Sequence, residues 1–226
     1  MRLVFSGLET PVDLKPGVAT TLQVENAALF ARLAQSLACP DGRLAPEPFT
    51  LWDGDTELRP SSKILLIESP LTLPWDDRSL MGEIVKRLER EFLEDEDMRR
   101  SIEALDGIMS TKLLHLVLGM NSDYGFALEW DLKRYLKFRG FGTGVQESQS
   151  LFDNLLNFLS LALDAGCTKL ISFVNLKTFL TENDLEALFE YVFYSKLSVL
   201  FLENKPDEIV YDYERKITVD LDFLES

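Results

Sequence analysis

The chain has 226 residues, of which 46% are hydrophobic, enough to bury a substantial core as one large domain or as a domain with an inserted segment. Its 38 acidic residues outnumber the 23 basic ones and give a formal net charge of -15, so the composition as a whole lacks the basic footprint of a nucleic-acid-binding domain, although a local basic surface is not excluded. No run approaches the ~18 to 20 apolar residues that span a bilayer, and residues 1–6 have a strand pattern rather than that of a signal peptide, which predicts a cytoplasmic protein without a membrane partner.

The first 75 residues predict an α/β arrangement of short segments separated by turns. Asn26 precedes apolar residues at helical spacing and is predicted to cap a helix that runs to about Ala38. Gly54 lies between two aspartates, which is a turn signal inside a predicted hairpin. Short apolar runs predict four strands, at residues 2–6, 19–24, 49–52 and 64–68.

From about Asp76 the pattern changes to long helices, with apolar residues every three or four positions. The acidic run at residues 94–97 is interpreted as a solvated kink between two helical stretches rather than as a metal site, because four consecutive side chains on a helix point in different directions. A second pair of helices is predicted at residues 128–138 and 150–165. The lone histidine, His115, has no second histidine or cysteine at ligand spacing and is interpreted as a packed or surface helix residue.

A dense group of charges lies between residues 121 and 139. Several acidic residues are followed, within two helical turns, by Lys133, Arg134, Lys137 and Arg139, and positions 133, 134 and 137 share one helix face. This density of positive charge is unusual in so acidic a chain. One interpretation is a solvated amphipathic helix. The other is a stripe that contacts phosphates and is held in place by a nearby carboxylate and cation site.

The last third of the chain carries the strongest pattern. Apolar runs at residues 170–175 and 197–203 predict two buried strands, and Thr181 with Asp184 predicts the capped start of a helix between them. Such a unit pairs its strands in parallel through a right-handed crossover. Parallel sheets of this kind often carry nucleotide sites, but the loop after the first strand holds no glycine for a P-loop. The glycine-rich string at residues 140–144 follows a predicted helix and is interpreted as a helix terminus and connector, with a ligand loop as the alternative.

These C-terminal residues resemble the type II-A CRISPR adaptation accessory family, Csn-two. The matching segments are LISFVN at residues 170–175, FLT at 179–181, LFEY at 188–191 and LSVLFLE at 197–203, which agree in order, spacing and residue types. Weaker similarity covers the N-terminal strand, the strand end at residues 22–26 and the helical middle. The resemblance implies an α/β head related to P-loop nucleotide-binding folds, with a degenerate nucleotide site, and an inserted α-helical leg. The predicted head comprises residues 1–75 and 168–226, and the predicted leg comprises residues 76–167.

The resemblance also implies a function without catalysis. Family members form a homotetrameric ring whose positively charged hole encircles linear double-stranded DNA, prefer free ends, and act in spacer acquisition alongside the integrase complex and the effector nuclease. An acidic exterior can coexist with basic residues that line such a hole. The candidate DNA-binding residues are therefore Lys133, Arg134, Lys137 and Arg139, and contacts to phosphates imply binding that is independent of base sequence.

Calcium ions that fix the leg against the head are a further implication of the resemblance. The positions that best match the family's acidic ligands are Asp123, Glu129, Asp131 and Glu147, although this chain is less acidic there than the family's usual pattern. Two other functions stay open. One is an interaction scaffold without DNA binding, and the other is a hydrolase that uses acidic residues and a divalent ion, for which no nucleophile, base or metal motif is recognisable.

Overall fold

The computed structural model of the chain describes residues 1–126, 130–143 and 149–221. The chain divides into two compact units, which we call the head unit (Met1–Trp75 with Val145–Ser226) and the helical unit (Asp76–Gly144). The content is mixed α/β. In chain order the elements are β1 (Arg2–Phe5), β2 (Val12–Asp13), β3 (Ala19–Val24), α1 (Ala27–Leu37), β4 (Phe49–Asp53), β5 (Thr56–Leu58), α2 (Pro60–Lys63), β6 (Ile64–Ile67), α3 (Arg78–Glu94), α4 (Glu96–Leu114), α5 (Leu132–Phe138), α6 (Leu151–Asp164), β7 (Leu170–Val174), α7 (Glu182–Ser195), β8 (Ser198–Glu203) and β9 (Glu214–Val219).

A five-stranded parallel sheet forms the centre of the head unit. Its strand order is β6-β7-β8-β3-β9, and every neighbouring pair is parallel. All six residues of β8 are buried, as expected for a strand covered on both faces, which explains the continuous apolar run in the sequence. The fully buried rings of Phe158, Phe173, Phe189 and Phe201 fill the adjoining core. This sheet places the carboxyl ends of β3, β7 and β8 along one edge.

A smaller antiparallel sheet completes the head unit, in the order β2-β1-β4-β5. Leu3 and Leu51 pair across β1 and β4, and the rings of Phe5 and Phe49 lie 5.2 Å apart. The predicted hairpin is confirmed as β4 and β5, where Gly54 adopts a φ of 57° that a turn of this kind favours.

The predicted strand, helix and parallel strand near the C-terminus are confirmed as β7, α7 and β8. Thr181 and Asp184 form a reciprocal capping box, in which each side chain accepts a hydrogen bond from the backbone N–H of the other residue. The helix ends at Lys196, which has a φ of 57° and closes the last turn onto Val192. The local signals were strong enough here to fix both ends of the helix.

The helical unit contains α3, α4 and α5. The predicted kink in the acidic run is confirmed, because Asp95 ends α3 and its carboxylate accepts the Met98 N–H as the N-cap of α4, at 2.9 Å. His115 is exposed at the end of α4. The division into compact units assigns α6 to the head unit, whereas the sequence pattern placed it in the leg. Among the described residues, no helix combines the length and apolarity needed to cross a membrane.

Two sequence-based element boundaries were wrong. The helix predicted at residues 128–138 begins only at Leu132, because Asp131 has extended backbone angles and caps the helix, and Trp130 before it is not helical. Residues 128 and 129 of that prediction lie outside the described residues. The last strand is predicted at residues 216–223, but β9 spans Glu214–Val219 and Asp220 has already left the strand, while residues 222 and 223 of that prediction lie outside the described residues.

Candidate nucleic-acid interface

The helix α5 builds a small basic surface in the helical unit, which we define as Lys133, Arg134, Lys137 and Arg139. Asp131 starts the helix, because its Oδ1 accepts the Arg134 N–H at 2.9 Å. All four basic side chains are exposed, and Arg134 also forms an ion pair with Asp131, Nε to Oδ2, at 3.0 Å. The other three make no ion pair with any residue that the structure describes. Their charges are therefore available to a ligand.

The geometry of α5 decides which of these side chains lie together. Lys133 and Lys137 are four positions apart and share a face, with Arg134 beside them at the first turn. Arg139 is the C-cap, and the chain then turns at Gly140, whose φ is 64°. The Gly140 N–H donates to the Lys137 carbonyl and the Phe141 N–H to the Leu136 carbonyl, which is a Schellman motif. The described part of the glycine-rich string, residues 140–143, is thus a helix terminus.

The candidate calcium ligands are only partly within the described residues. Asp123 is exposed in the segment after α4, and Asp131 caps α5, whereas Glu129 and Glu147 lie outside the described residues. No group of three or more His, Cys, Asp or Glu that could hold a metal ion is found among the residues that are described. Both Asp131 oxygens are engaged by Arg134, but a carboxylate has about four lone-pair positions, so Asp131 retains capacity for a hard cation. Its chemistry fits calcium, and the complete ligand set stays a prediction.

A group of charged residues lies beside the carboxyl ends of β7 and β8 and on the first residues of β9. We call Lys177, Glu203, Asp207, Glu214 and Lys216 the edge cluster. Lys177 follows β7, and its Nζ contacts Asp207 Oδ2 at 2.5 Å and Glu214 Oε1 at 3.0 Å. Lys216 also pairs with Asp207. The Lys177 side chain is only 8% exposed, so its ammonium is committed to these internal partners.

Burial and ion pairing shift the pKa of three residues of the edge cluster, Glu203, Lys177 and Asp207. Burial of Glu203 raises its pKa to about 7, and this outweighs the Lys177 N–H that donates to its Oε1 at 3.0 Å. Burial lowers the pKa of Lys177, but the Asp207 and Glu214 carboxylates outweigh that effect and hold it above its usual value. Burial raises the pKa of Asp207, but hydrogen bonds from Lys177 and Lys216 hold it below its usual value. The cluster is thus a paired ionic network beside a carboxyl that titrates near neutrality.

The sequence interpretation missed the edge cluster. Lys177 precedes Thr178, the order of a P-loop Lys-Thr pair, but the missing glycines outweigh that signal. Asn175 takes the left-handed conformation there, with a φ of 52°, and its side chain accepts the Asn204 N–H at 3.1 Å. A lysine three residues after a buried strand is the sequence signal that could have indicated charged residues at the end of the sheet. Its acidic partners lie 30 and 37 residues away.

Comparison with known proteins decides the family. The family model described as CRISPR-associated protein (Cas_Csn2) matches residues 46–223. This chain belongs to the Csn2 family. A curated relative, the CRISPR-associated protein Csn2 of Enterococcus faecalis, is 24% identical over 208 residues, which cover 91% of this chain and 90% of the relative. Family membership gives the protein a CRISPR-associated role and agrees with the resemblance seen in the sequence. Among solved structures, a putative ABC transporter ATP-binding protein from Pyrococcus furiosus matches with a TM-score of 0.39 and 10% identity, over 96% of this chain and 97% of that one.

Proposed function

We propose that this protein is an accessory component of type II-A CRISPR spacer acquisition that binds linear double-stranded DNA independently of sequence. The observation that carries the proposal is membership of the Csn2 family, and the basic surface on α5 supports it. Duplex DNA presents regularly spaced phosphates, and exposed lysine and arginine side chains bind them by releasing counterions. Such contacts position the duplex without reading its bases.

The distribution of charge between the two units also supports DNA binding. The helical unit, Asp76–Gly144, carries 11 of the 23 basic residues but 14 of the 38 acidic ones, so most of the acidic excess lies in the head unit. Residues 130–143 include four basic residues and one acidic residue. An acidic chain can therefore bind a polyanion through one locally basic surface while the rest of its surface repels it.

A homotetrameric ring is the assembly that this proposal implies. The helix α4 leaves large apolar side chains in solvent, including Leu105 at 63%, Ile108 at 56% and Met109 at 48% exposure. Exposed apolar surface of this size favours burial against another copy of the chain. Closing copies into a ring would concentrate their basic surfaces around one axis, so that each copy binds phosphates of the same duplex.

Calcium is proposed as the ion that fixes the start of the basic helix. Among the described residues, Asp123 and Asp131 are the candidate ligands, and Asp131 already determines where α5 begins. A bound divalent cation would neutralise carboxylates that otherwise repel both one another and the DNA. Partners in acquisition, the integrase complex and the effector nuclease, are part of the same proposal and rest on the family.

We propose further that the protein is not an enzyme. The loop after β7 holds no glycine, and its lysine, Lys177, is paired with Asp207 and Glu214 rather than free to bind a phosphate. A scaffold without DNA binding is the second candidate, favoured by the exposed apolar residues of α4. The hydrolase alternative has no such observation in its favour.

The test is the salt dependence of DNA binding by charge-reversal variants. We expect Lys133→Glu with Lys137→Glu to weaken binding of a linear duplex and to lower the slope of log affinity against log salt by roughly one for each phosphate interaction that is removed. Lys112→Glu is the matched control, because Lys112 is an exposed lysine of the helical unit outside the basic surface. Unchanged affinity and slope in the double variant would refute the interface, and failure of the wild-type chain to bind DNA would favour the scaffold.

A further inference from the structure

Aromatic side chains alternate with the basic ones on and around α5. Tyr135 and Phe138 lie on the helix and Trp130 lies just before it, with the Trp130 and Tyr135 rings 4.8 Å apart. Phe138 is 83% exposed and Phe126 is 49% exposed. A single exposed ring is ordinary, but exposed rings that lie together form an apolar patch, and such patches mark interaction sites.

These four aromatic side chains line a shallow hollow of about 310 Å³ within the helical unit, which we call the aromatic hollow. The remaining lining residues are polar, namely Asp106, Ser110, Asp131 and Arg134. The hollow therefore combines several flat apolar surfaces with a few hydrogen-bonding groups, and it adjoins the basic surface through their shared residue, Arg134. Its size suits one planar ring system rather than a folded partner.

We propose that the aromatic hollow binds one unpaired nucleobase, from a single-stranded overhang or a frayed end of the DNA. The inference rests on the proposed function and deepens it, because it assigns the same helix a second contact with the same ligand. Bases of every kind have a π face, and stacking on aromatic side chains binds single strands with little regard for sequence. Interleaved basic and aromatic residues are the combination that single-stranded nucleic acid requires.

Two of the three charged residues that line the hollow are acidic and the third, Arg134, is paired with Asp131, so the charges favour a base over a phosphate as the occupant. Asp106 and Asp131 are carboxylates and repel phosphate oxygens, whereas the Asp106 carboxylate and the Ser110 hydroxyl can accept hydrogen bonds from the N–H groups on a base edge. The phosphates that flank the unpaired nucleotide would then lie against Lys133 and Lys137 on the exposed face of α5. The arrangement separates base and backbone onto neighbouring parts of one helix.

The experiment compares a blunt duplex with the same duplex carrying a short single-stranded overhang, by fluorescence anisotropy. We expect the overhang to raise the affinity of the wild-type chain about tenfold. In Phe138→Ala this gain should disappear, while affinity for the blunt duplex stays within about twofold. Because Phe138 is 83% exposed, its removal should leave the fold intact, and Tyr194→Ala, at 69% exposure in the head unit, is the matched control.

An overhang built from abasic nucleotides distinguishes the contribution of the base to binding from that of the phosphate. The abasic overhang should give the wild-type chain no gain, since it keeps the phosphates and lacks the ring. Equal affinity for blunt and overhang duplexes in the wild-type chain, or an unchanged gain in Phe138→Ala or with the abasic overhang, would overturn the inference and leave duplex binding standing. Failure of the wild-type chain to bind either DNA would instead refute the proposed function. A change of oligomeric mass in Phe138→Ala would show that a second copy of the chain occupies the hollow, which also overturns the inference.

Discussion

Replacing Glu203 by glutamine should make the protein more stable at alkaline pH. Glu203 is 3% exposed at the end of β8, and its pKa is raised to about 7 from an ordinary value of 4.5. At a pH between those two values, Glu203 is therefore protonated in the folded chain and ionised in the unfolded chain. Because the folded state binds more protons there, the free energy of unfolding should fall as pH rises through this window and level off above it.

The difference between the two pKa values sets the size of the effect. It corresponds to at most about 3 kcal/mol of unfolding free energy, since each pKa unit is worth about 1.4 kcal/mol. Glutamine keeps an oxygen that can accept the Lys177 N–H, now donated to Glu203 Oε1 at 3.0 Å, but it carries no charge at any pH. Glu203→Gln should therefore match the wild-type chain near pH 5 and exceed its stability near pH 8 by up to about 3 kcal/mol.

Urea unfolding followed by circular dichroism, at several values between about pH 5 and pH 8, measures this difference. The matched control is Glu208→Gln, because Glu208 is exposed and lies in the segment that follows β8. It should leave the pH profile unchanged. A wild-type stability that stays flat across the window, or a Glu203→Gln chain that is less stable at every pH, would refute the assignment of a buried, protonated carboxyl at this position.

Two substitutions and one activity assay test other parts of the structure. Lys177→Met should lower the free energy of unfolding by roughly 3 kcal/mol, because it removes the most buried cation beside Asp207 and Glu214 and leaves only the more exposed Lys216 to pair with them, whereas Lys205→Met at an exposed site should not. Asp131→Asn keeps the N-cap but removes its charge, so calorimetry should show calcium affinity falling by roughly tenfold with α5 intact; unchanged affinity would place the ion elsewhere. Purified protein should show no ATP turnover. ATPase activity that co-purifies with the chain and is lost when the loop after β7 is mutated would contradict the proposal that the protein is not an enzyme.

Much of the head unit could be predicted because its signals are local. The capping box of Thr181 and Asp184 and the apolar runs on either side of α7 fix strand, helix and strand within residues 170–203. The N-cap at Asn26 was equally readable, since its side chain accepts the N–H groups of Ala28 and Leu29. Sequence periodicity and side-chain capping act within a few residues, so a single sequence contains them.

The edge cluster and the aromatic hollow could not be predicted because their residues are far apart in the chain. The start of α5 was not predicted because an apolar pattern and a capping residue indicate different boundaries. No local pattern connects Lys177 with Asp207 and Glu214, and these residues meet only because the fold brings together the segment after β7, the segment between β8 and β9, and the start of β9. The start of α5 was placed too early because apolar residues continue upstream, whereas the Asp131 cap decides the boundary. The aromatic hollow likewise needs Asp106 and Ser110 from α4 beside the rings of residues 126–138, which spacing alone does not reveal.

We propose that copies of this chain encircle linear double-stranded DNA and hold it through its phosphates, and a comparison of linear and covalently closed circular duplexes of one sequence tests this. Binding should be followed across a series of salt concentrations, with calcium present. We expect the linear duplex to bind with a steep salt dependence and the closed circle, which offers no end, to bind far more weakly. Equal binding of both forms, or binding that does not respond to salt, would contradict it.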